Sequence, residues 1–280
     1  MSSTYIHIKV EITDQIGVIK LNRPHVLNAW NETMLGEMVA AFRELDAHPE
    51  TIFTVLTGEG RFFSAGADIR ENIPKPPDTD SPAEKKLFYM RKFSREMELF
   101  RLLIHHAKIL ILALNGPAAG GGAAWFTGVA DIVLAAAGSY IQIPFSSLGL
   151  VPEFGAVQTL RESMGVHRAN EVLMFGRRCT VEELEKWGVV NVVLSKEGFE
   201  GQVLGYLRRQ LDVNDPGSML ESKRLMSEPL RKDRVAAMVE AADALAERFV
   251  SGVPFERFRR RNEELERASQ ARRGKGKASL

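Results

Sequence analysis

Two loops of small residues, RFFSAGADI at 61–69 and NGPAAGGGAA at 115–124, each follow a strand-like apolar run, TVLT at 54–57 and ILILAL at 109–114. Small side chains let a ligand approach backbone N–H groups closely. The glycines at 120–122 precede an alanine-rich stretch and predict a helix N-terminus, where unpaired donors and the helix dipole attract negative charge. Two such loops facing each other would form an oxyanion hole, which indicates chemistry on a carbonyl group.

Around these loops the sequence predicts repeated strand–strand–helix units, and therefore stacked sheets wound as a spiral in an α/β fold. Asn31 is the predicted N-cap of a helix, and one long helix is expected over residues 84–105. Four prolines between residues 73 and 82 predict a surface excursion. We expect residues 1–200 to form the core with the ligand site and residues 201–280 to form a helical region with a basic tail. Further predicted strands cover residues 6–11, 16–21, 52–56, 132–134, 141–143 and 189–193, and further helices cover residues 168–175, 181–187, 200–211, 216–227, 232–250 and 254–271.

Composition limits the class of protein. Of the 280 residues, 45% are hydrophobic and 26% are charged, which is typical of a soluble globular protein. The net charge of +1 argues against a body built for bulk binding of nucleic acid or membrane. A single cysteine, Cys179, rules out an internal disulfide and fits a reducing compartment. No apolar run approaches the ~20 residues of a membrane span.

The two ends of the sequence bear on location. The N-terminus has neither a secretory signal nor an arginine-rich transit peptide, so we expect an intracellular protein. The C-terminal Ala278-Ser279-Leu280 is similar to the peroxisomal address S-K-L but lacks its central basic residue. This tripeptide is either a degenerate peroxisomal address or an accidental tail, in which case we expect a cytoplasmic protein.

The ordered set of motifs resembles the enoyl-CoA hydratase/isomerase (crotonase) superfamily over most of the chain. The resemblance implies a spiral of ββα units, a C-terminal helical region for contacts within a trimer or hexamer, and an acyl-CoA thioester as ligand. It implies no metal and no cofactor, since coenzyme A is part of the substrate. Besides the two loops, the motifs that carry the resemblance are LNRP at 21–24, LNA at 27–29, ADIV at 130–133, PFSSLGL at 144–150, MFGRR at 174–178 and GVV at 188–190.

The same resemblance implies the roles of particular residues. The backbone N–H groups of Ala65 and Gly121 would hold the thioester oxygen. Phe255 and Phe258 are candidates for a role that the family gives to the C-terminal helix of a neighbouring subunit, which closes the pocket. The remaining substrate-binding residues implied are Arg23, Ala29, Ser64, Ala67, Asp68, Ile69, Gly120 and Phe145.

Three positions bear on which reaction the site performs. Hydratases of the family use two glutamates, and Ala124 and Phe145 occupy those positions here. Neither side chain can move a proton, which argues against hydration. Glu153 remains, among apolar and small neighbours that would raise its pKa. Its position matches the single catalytic glutamate of the peroxisomal type of 3,2-trans-enoyl-CoA isomerase, which predicts a 1,3-proton shift in a 3-enoyl-CoA.

Several alternatives stay open. A dienoyl-CoA isomerase would need a second acid at Phe145, and a hydratase-like enzyme would need the missing glutamates. A catalytically inactive acyl-CoA binder is expected if Glu153 lies far from the loops. From Arg257 onward, nine Lys/Arg residues against three Glu could bind RNA, although the last stretch lacks interleaved aromatic residues. Nucleotide-binding loops and the serine-hydrolase motif are absent, and no metal-ligand spacing is present.

Overall fold

The computed structural model describes residues 5–69 and 77–277. Its strands are β1 (Ile8–Thr13), β2 (Ile16–Leu21), β3 (Phe53–Gly58), β4 (Ile109–Leu114), β5 (Ala118–Ala119), β6 (Ile132–Ala136), β7 (Tyr140–Gln142), β8 (Arg178–Thr180) and β9 (Val192–Leu194). Its α-helices are α1 (Glu32–Ala47), α2 (Pro82–Lys92), α3 (Ser94–His105), α4 (Gly121–Thr127), α5 (Ala156–Met164), α6 (Val166–Phe175), α7 (Val181–Lys186), α8 (Phe199–Val213), α9 (Pro216–Ser227), α10 (Arg231–Val250) and α11 (Val253–Lys277).

The strands form two sheets, as the alternation of patterns predicts. The larger sheet has the order β1-β2-β3-β4-β6-β9, antiparallel between β1 and β2 and parallel in every other pair. The smaller sheet has the order β5-β7-β8. Its first strand, β5, forms a parallel bridge with the first loop, between Ala118 and Ser64. The first loop therefore connects the two sheets.

Apolar residues cover both faces of the larger sheet. On β4, Leu110, Leu112 and Leu114 belong to the core shared with α1, α3 and α10, while Ile111 and Ala113 pack on the other face with α8. A parallel strand buried on both faces reads as a continuous apolar run, which accounts for ILILAL. The C-terminal helices α8 and α10 thus pack against the two faces of the larger sheet and are part of its hydrophobic core.

Local signals explain where several elements begin. The Asn31 side chain accepts a hydrogen bond from the Met34 N–H (3.0 Å) and caps α1, as predicted. Asp14 and Gln15 have positive φ angles and form the tight turn between β1 and β2. Gly120 precedes α4, so the predicted helix N-terminus after the glycines is present.

Two of the sequence-based boundaries are wrong for reasons that the packing shows. The helix predicted over residues 84–105 is broken at Phe93, whose ψ of 2° leaves the helical range and separates α2 from α3. Phe93 is buried against Phe154 and Phe249, and the break lets its ring pack there. The last strand begins at Val192, because the N–H groups of Val189 and Val190 bond to the Leu184 carbonyl after α7.

Some predictions fall on residues that the structure does not describe. Residues 73–76 of the predicted surface excursion and the tripeptide Ala278–Leu280 lie outside the described residues. Within the ranges given above, no helix is both long enough and apolar enough to cross a membrane.

Candidate active site

A cavity of about 550 Å³ opens where the two small-residue loops meet α3 and α4, a size typical of small-molecule sites. Its lining is mostly apolar, with Trp30, Phe93 and Trp125 among its walls. Seven of the residues that the sequence predicts for the site line this cavity: Ala65, Ala67, Ile69, Gly120, Gly121, Phe145 and Glu153.

A larger cavity of about 980 Å³ lies on the other side of the sheet and is bordered by residues of β4, α8 and α9. Its cations are paired, Lys223 with Asp131 (Nζ to Oδ2, 2.7 Å) and Arg234 with Glu162 (Nη2 to Oε2, 2.8 Å). Neither small-residue loop lines it. The smaller cavity is therefore the candidate site.

The two loops are held together by backbone contacts. The Ala119 N–H donates to the Ser64 carbonyl (2.8 Å), and the Phe63 N–H donates to the Pro117 carbonyl (3.0 Å). Gly66 has a φ of +88°, and a Cβ there would lie 2.9 Å from the Ala119 carbonyl oxygen and 3.3 Å from the Gly121 nitrogen. Only glycine fits this conformation at this distance. The second loop thus packs directly on the backbone of the first.

The hydrogen bonds of the first loop show which N–H groups are available. A parallel bridge joins Trp30 to Ala67: the Trp30 N–H donates to Gly66 (3.0 Å) and the Asp68 N–H donates to Trp30 (2.8 Å). In such a bridge the N–H of Ala67 itself points away from Trp30. Among the described residues, neither this N–H nor that of Gly121 meets an acceptor.

The assignment of Ala65 as a donor to the ligand is wrong. Its N–H donates to the Leu27 carbonyl (2.9 Å) and is not available to a thioester oxygen. Ala67, which the sequence analysis placed only among the contact residues, has the available N–H. Residues two apart in a regular extended segment direct their N–H groups to the same side, and the positive φ of Gly66 (+88°) between the two alanines breaks that regularity, although both residues line the cavity.

Four other predicted contact residues lie behind the loop and not at the cavity. Arg23 is only 5% exposed; its Nη1 donates to the Ala29 carbonyl (2.7 Å) and pairs with Asp68 Oδ2 (3.2 Å). The Ser64 hydroxyl donates to the Asn28 carbonyl (2.8 Å) and accepts from the Gly66 N–H (3.1 Å). Arg23, Ala29, Ser64 and Asp68 therefore hold the loop in place, and their contact with the substrate stays a prediction.

Glu153 reaches the cavity immediately before α5. Its Oε2 accepts a hydrogen bond from Trp125 Nε1 (3.1 Å), and burial raises the pKa of this carboxyl to about 8. Trp125 lies one turn after Gly121 in α4, and a Cβ on Gly121 would be 3.1 Å from Trp125 Nε1. The Glu153 carboxyl is thus separated from the available Gly121 N–H by one indole group.

Besides Glu153, the carboxyls of Glu32 and Glu96 line the same cavity, and neither was expected there from the sequence. Glu96 lies on α3, and burial raises its pKa to about 7. Glu96 precedes the buried Leu99, Phe100 and Leu103 by three, four and seven residues. It therefore lies on the same face of the helix as these core side chains. A glutamate on the apolar face of an amphipathic helix was the signal that could have identified it.

The two positions where hydratases of the family carry glutamates are apolar. Ala124 is fully buried in α4, and Phe145 is 2% exposed and forms part of the cavity wall. Elsewhere, the buried His106 contacts Thr54 (Nε2 to Oγ1, 2.8 Å) and Asp46 (Nδ1 to Oδ1, 3.1 Å), both away from the cavity. The part of the chain that the structure describes holds no group of three or more His, Cys, Asp or Glu suited to a metal ion.

Similarity to known proteins extends over most of the chain. Residues 11–256 match the profile of a family described as enoyl-CoA hydratase/isomerase. The chain is 33% identical over 264 residues to the Delta(3,5)-Delta(2,4)-dienoyl-CoA isomerase of Pyricularia oryzae, covering 89% of this chain and 94% of the relative. It is 31% identical over 265 residues to the 3,2-trans-enoyl-CoA isomerase of Saccharomyces cerevisiae, covering 90% and 92%.

A solved structure of an enoyl-CoA hydratase/isomerase from Pseudoalteromonas atlantica is similar in fold. It has a TM-score of 0.81 and 22% sequence identity, and the alignment covers 92% of this chain and 98% of that one. At this identity the similarity concerns the fold alone. It confirms the predicted spiral α/β fold with a C-terminal helical region.

Proposed function

The chain belongs to the enoyl-CoA hydratase/isomerase family, and from this premise we propose that it shifts the double bond of a 3-enoyl-CoA to give the 2-trans-enoyl-CoA. The observation that carries the proposal is the Glu153 carboxyl, which lines the same apolar cavity as two available backbone N–H groups, those of Ala67 and Gly121. Such a carboxyl can act as a base at neutral to alkaline pH. The substrate proposed is an acyl-CoA thioester.

In the proposed reaction the thioester oxygen accepts hydrogen bonds from the N–H groups of Ala67 and Gly121, which form an oxyanion hole. The ionised Glu153 takes a proton from C2, and the negative charge spreads from the oxygen over C2 and C4. The same carboxyl then returns the proton to C4, leaving the double bond between C2 and C3. One preorganised donor at a developing oxyanion contributes about 10²–10³ in rate. The reaction is redox-neutral and needs no cofactor.

Hydration is the less favoured reaction. It requires one group that activates a water molecule and another that protonates carbon. At the two family positions for those groups, Ala124 and Phe145 offer only apolar surface. The relative from Pyricularia oryzae is named for a dienoyl-CoA reaction. For that reaction the family pattern places a second acid at Phe145, and a benzyl side chain cannot supply it.

The test is the pair of variants Glu153→Ala and Glu153→Gln. We expect both to lose isomerisation of 3-hexenoyl-CoA by at least about 10³-fold, because Glu153 is the proposed acceptor of the C2 proton. Formation of the conjugated product can be followed by ultraviolet absorbance. The matched control is Glu197→Gln, which makes the same change at an exposed position.

Circular dichroism and binding of a saturated acyl-CoA should stay unchanged in both variants. If the variants bind acyl-CoA and still isomerise at the normal rate, the proposed mechanism fails. A wild-type protein that binds acyl-CoA but neither isomerises nor hydrates it would be a binding protein of the same fold. Tight binding of RNA that weakens steeply with salt would favour the alternative based on the basic C-terminal residues.

The proposal also covers assembly and location. We propose that the chain forms trimers or hexamers through its C-terminal helices, a state that sedimentation or mass photometry measures directly. We further propose that Ala278-Ser279-Leu280 directs it to peroxisomes. Fusing these residues to a fluorescent protein, with a Leu280-deleted fusion as control, tests this address.

A further inference from the structure

Glu96 brings a poorly satisfied carboxyl to the wall of the candidate site. Among the described residues its Oε2 is buried and has no hydrogen-bond partner. Glu96 lies in the first turn of α3, where its own N–H lowers the pKa of the carboxyl, but burial has the larger effect and raises that pKa to about 7. The glutamate two residues later, Glu98, lies outside the cavity and pairs with Arg101 (Nε to Oε2, 2.9 Å). The glutamate at the cavity is therefore the less stabilised of the two.

The other charged side chains along the cavity have partners within the protein. Glu153 accepts the indole hydrogen bond described above. Glu32 is paired with Lys92 (Oε1 to Nζ, 3.8 Å), which also lines the cavity, and with Arg95 (Oε2 to Nη1, 3.5 Å). These two cations lower the pKa of Glu96 from a distance, but their ion pairs are with Glu32. A partner for Glu96 therefore has to come from the contents of the cavity.

An unsubstituted acyl chain does not supply this partner. It displaces water from the cavity and offers neither a donor nor an acceptor, so Glu96 would lose its hydration without compensation. A hydroxyl group on the chain compensates, because it donates to an ionised carboxyl and accepts from a neutral one. With a pKa of about 7, Glu96 is present in both forms near neutral pH, and a hydroxyl suits both. A protonated amine suits only the ionised form, and a keto group suits only the neutral form.

We propose that Glu96 is a specificity-determining residue, and that the acyl-CoA preferred by this chain carries a hydroxyl group beyond C4. The inference rests on the proposed function and deepens it, because it names the class of acyl chain that the same cavity takes. The reacting carbons C2 to C4 belong next to Glu153. Glu96 raises the pKa of Glu153, so the two carboxyls lie within electrostatic reach of each other, and we expect the hydroxyl on one of the next carbons of the chain. The hydroxyl takes no part in the proton transfer.

The test compares hydroxylated and plain substrates within each protein. The substrates are 6-hydroxy-3-hexenoyl-CoA and 7-hydroxy-3-heptenoyl-CoA, each measured against the parent 3-enoyl-CoA of the same length. For wild type we expect kcat/KM to be about 10–100-fold higher for at least one hydroxylated substrate than for its parent, the usual discrimination of a hydrogen bond to a charged group. Because the comparison is a ratio within one protein, any effect of Glu96 on the pKa of Glu153 cancels.

Three variants assign this preference to one side chain. Glu96→Leu should abolish it, so that the parent reacts at least as well as the hydroxylated compound. Glu96→Gln should keep part of it, because an amide also donates and accepts. Glu98→Leu, the matched control on the same helix outside the cavity, should keep all of it. Glu96→Leu should also raise Tm by a few degrees, because it removes an unpaired carboxyl from an apolar wall, whereas a lower Tm would mean that Glu96 has a structural role.

A binding measurement keeps the inference separate from the proposed function. Calorimetry compares saturated 6-hydroxyhexanoyl-CoA and 7-hydroxyheptanoyl-CoA with hexanoyl-CoA and heptanoyl-CoA, and it does not require turnover. We expect a lower Kd for a hydroxylated ligand in wild type and in Glu98→Leu, and no such difference in Glu96→Leu.

The outcomes are distinct. Wild type that isomerises 3-enoyl-CoA without preferring either hydroxylated compound would overturn this inference and leave the proposed function intact. A preference that persists in Glu96→Leu would overturn the role of Glu96. Wild type that binds a hydroxylated ligand preferentially but isomerises no 3-enoyl-CoA would defeat the proposed function and leave Glu96 as the residue that selects the ligand.

Discussion

At the scale of the residue, burial and a hydrogen bond act on the Glu153 carboxyl in opposite directions. Burial raises its pKa to about 8, and the hydrogen bond from Trp125 Nε1 lowers it by stabilising the ionised form. The proposed base is active only when ionised. We therefore expect kcat/KM for 3-enoyl-CoA to rise with pH and to level off above a midpoint near 8, which a pH–rate profile measures.

Trp125→Phe tests this balance. The variant keeps an aromatic ring beside Trp30 (4.6 Å between ring centroids) but removes the indole N–H. Loss of a hydrogen bond to a charged group raises the pKa of Glu153 further, by about one unit, so the midpoint should move to higher pH. Trp30→Phe is the control, because it also shrinks an aromatic wall of the cavity but leaves the hydrogen bond. A midpoint that moves equally in both variants, or downward in Trp125→Phe, would contradict this account.

Residue roles differ in how far sequence could predict them. The place of Glu153 at the cavity could be predicted, because a motif and apolar neighbours mark this residue locally. The choice between Ala65 and Ala67 could not, because it depends on partners distant in sequence: the Leu27 carbonyl accepts from the Ala65 N–H, whereas the bridge to Trp30 leaves the Ala67 N–H available. Arg23 and Asp68 are charged residues that the sequence predicts to contact substrate, and only the fold shows that they pair with each other behind the loop.

At the scale of the element, the active site depends on close contact between two backbone loops. Gly66→Ala should disturb that contact, since a Cβ would approach the Ala119 carbonyl oxygen to 2.9 Å. Its positive φ adds a backbone cost of about 1–2 kcal/mol for any non-glycine residue. We expect the close approach to lower the free energy of unfolding by about 1–3 kcal/mol beyond that backbone cost and to lower activity at least tenfold. Denaturant unfolding and the 3-enoyl assay measure the two effects.

Gly138→Ala is the control for the backbone cost alone. Gly138 has a φ of +78°, and a Cβ there would meet no atom within 4 Å. The difference between the two variants isolates the contact between the loops. If Gly66→Ala and Gly138→Ala were destabilised equally and had equal activity, the loops would not depend on this close approach.

Element boundaries show a similar division between local and distant causes. The start of α1 could be predicted because Asn31 caps it locally. The break at Phe93 could not, since it lets a ring pack against Phe154 and Phe249 from distant parts of the chain. Missing the break also concealed Glu96, which belongs to the apolar face of the separate helix α3.

At the scale of the whole molecule, the sheets could be predicted because their parallel strands are buried on both faces and read as apolar runs. The position of the C-terminal region could not. Its α10 packs against α2, α3 and α5, and α11 contributes Phe258 to the cavity of its own chain. From the sequence, a neighbouring subunit was expected to close the pocket. In this structure the chain's own last helix forms part of the wall.

This arrangement predicts that Phe258 limits the space for the acyl chain. Phe258 is 5% exposed and lines the cavity. Phe255 packs on Phe249 (5.6 Å between ring centroids) but does not line the cavity. Phe258→Ala removes a side chain from the wall and so enlarges the cavity. The control, Phe255→Ala, removes the same side chain outside the cavity. We expect both to lose stability, up to about 3–5 kcal/mol at the buried Phe258. Only Phe258→Ala should lower KM for long-chain relative to short-chain 3-enoyl-CoA. Because both variants weaken the packing of α11, a shared change in chain-length preference would mean that this helix merely supports the fold. A change confined to Phe258→Ala would make the last helix part of the substrate site.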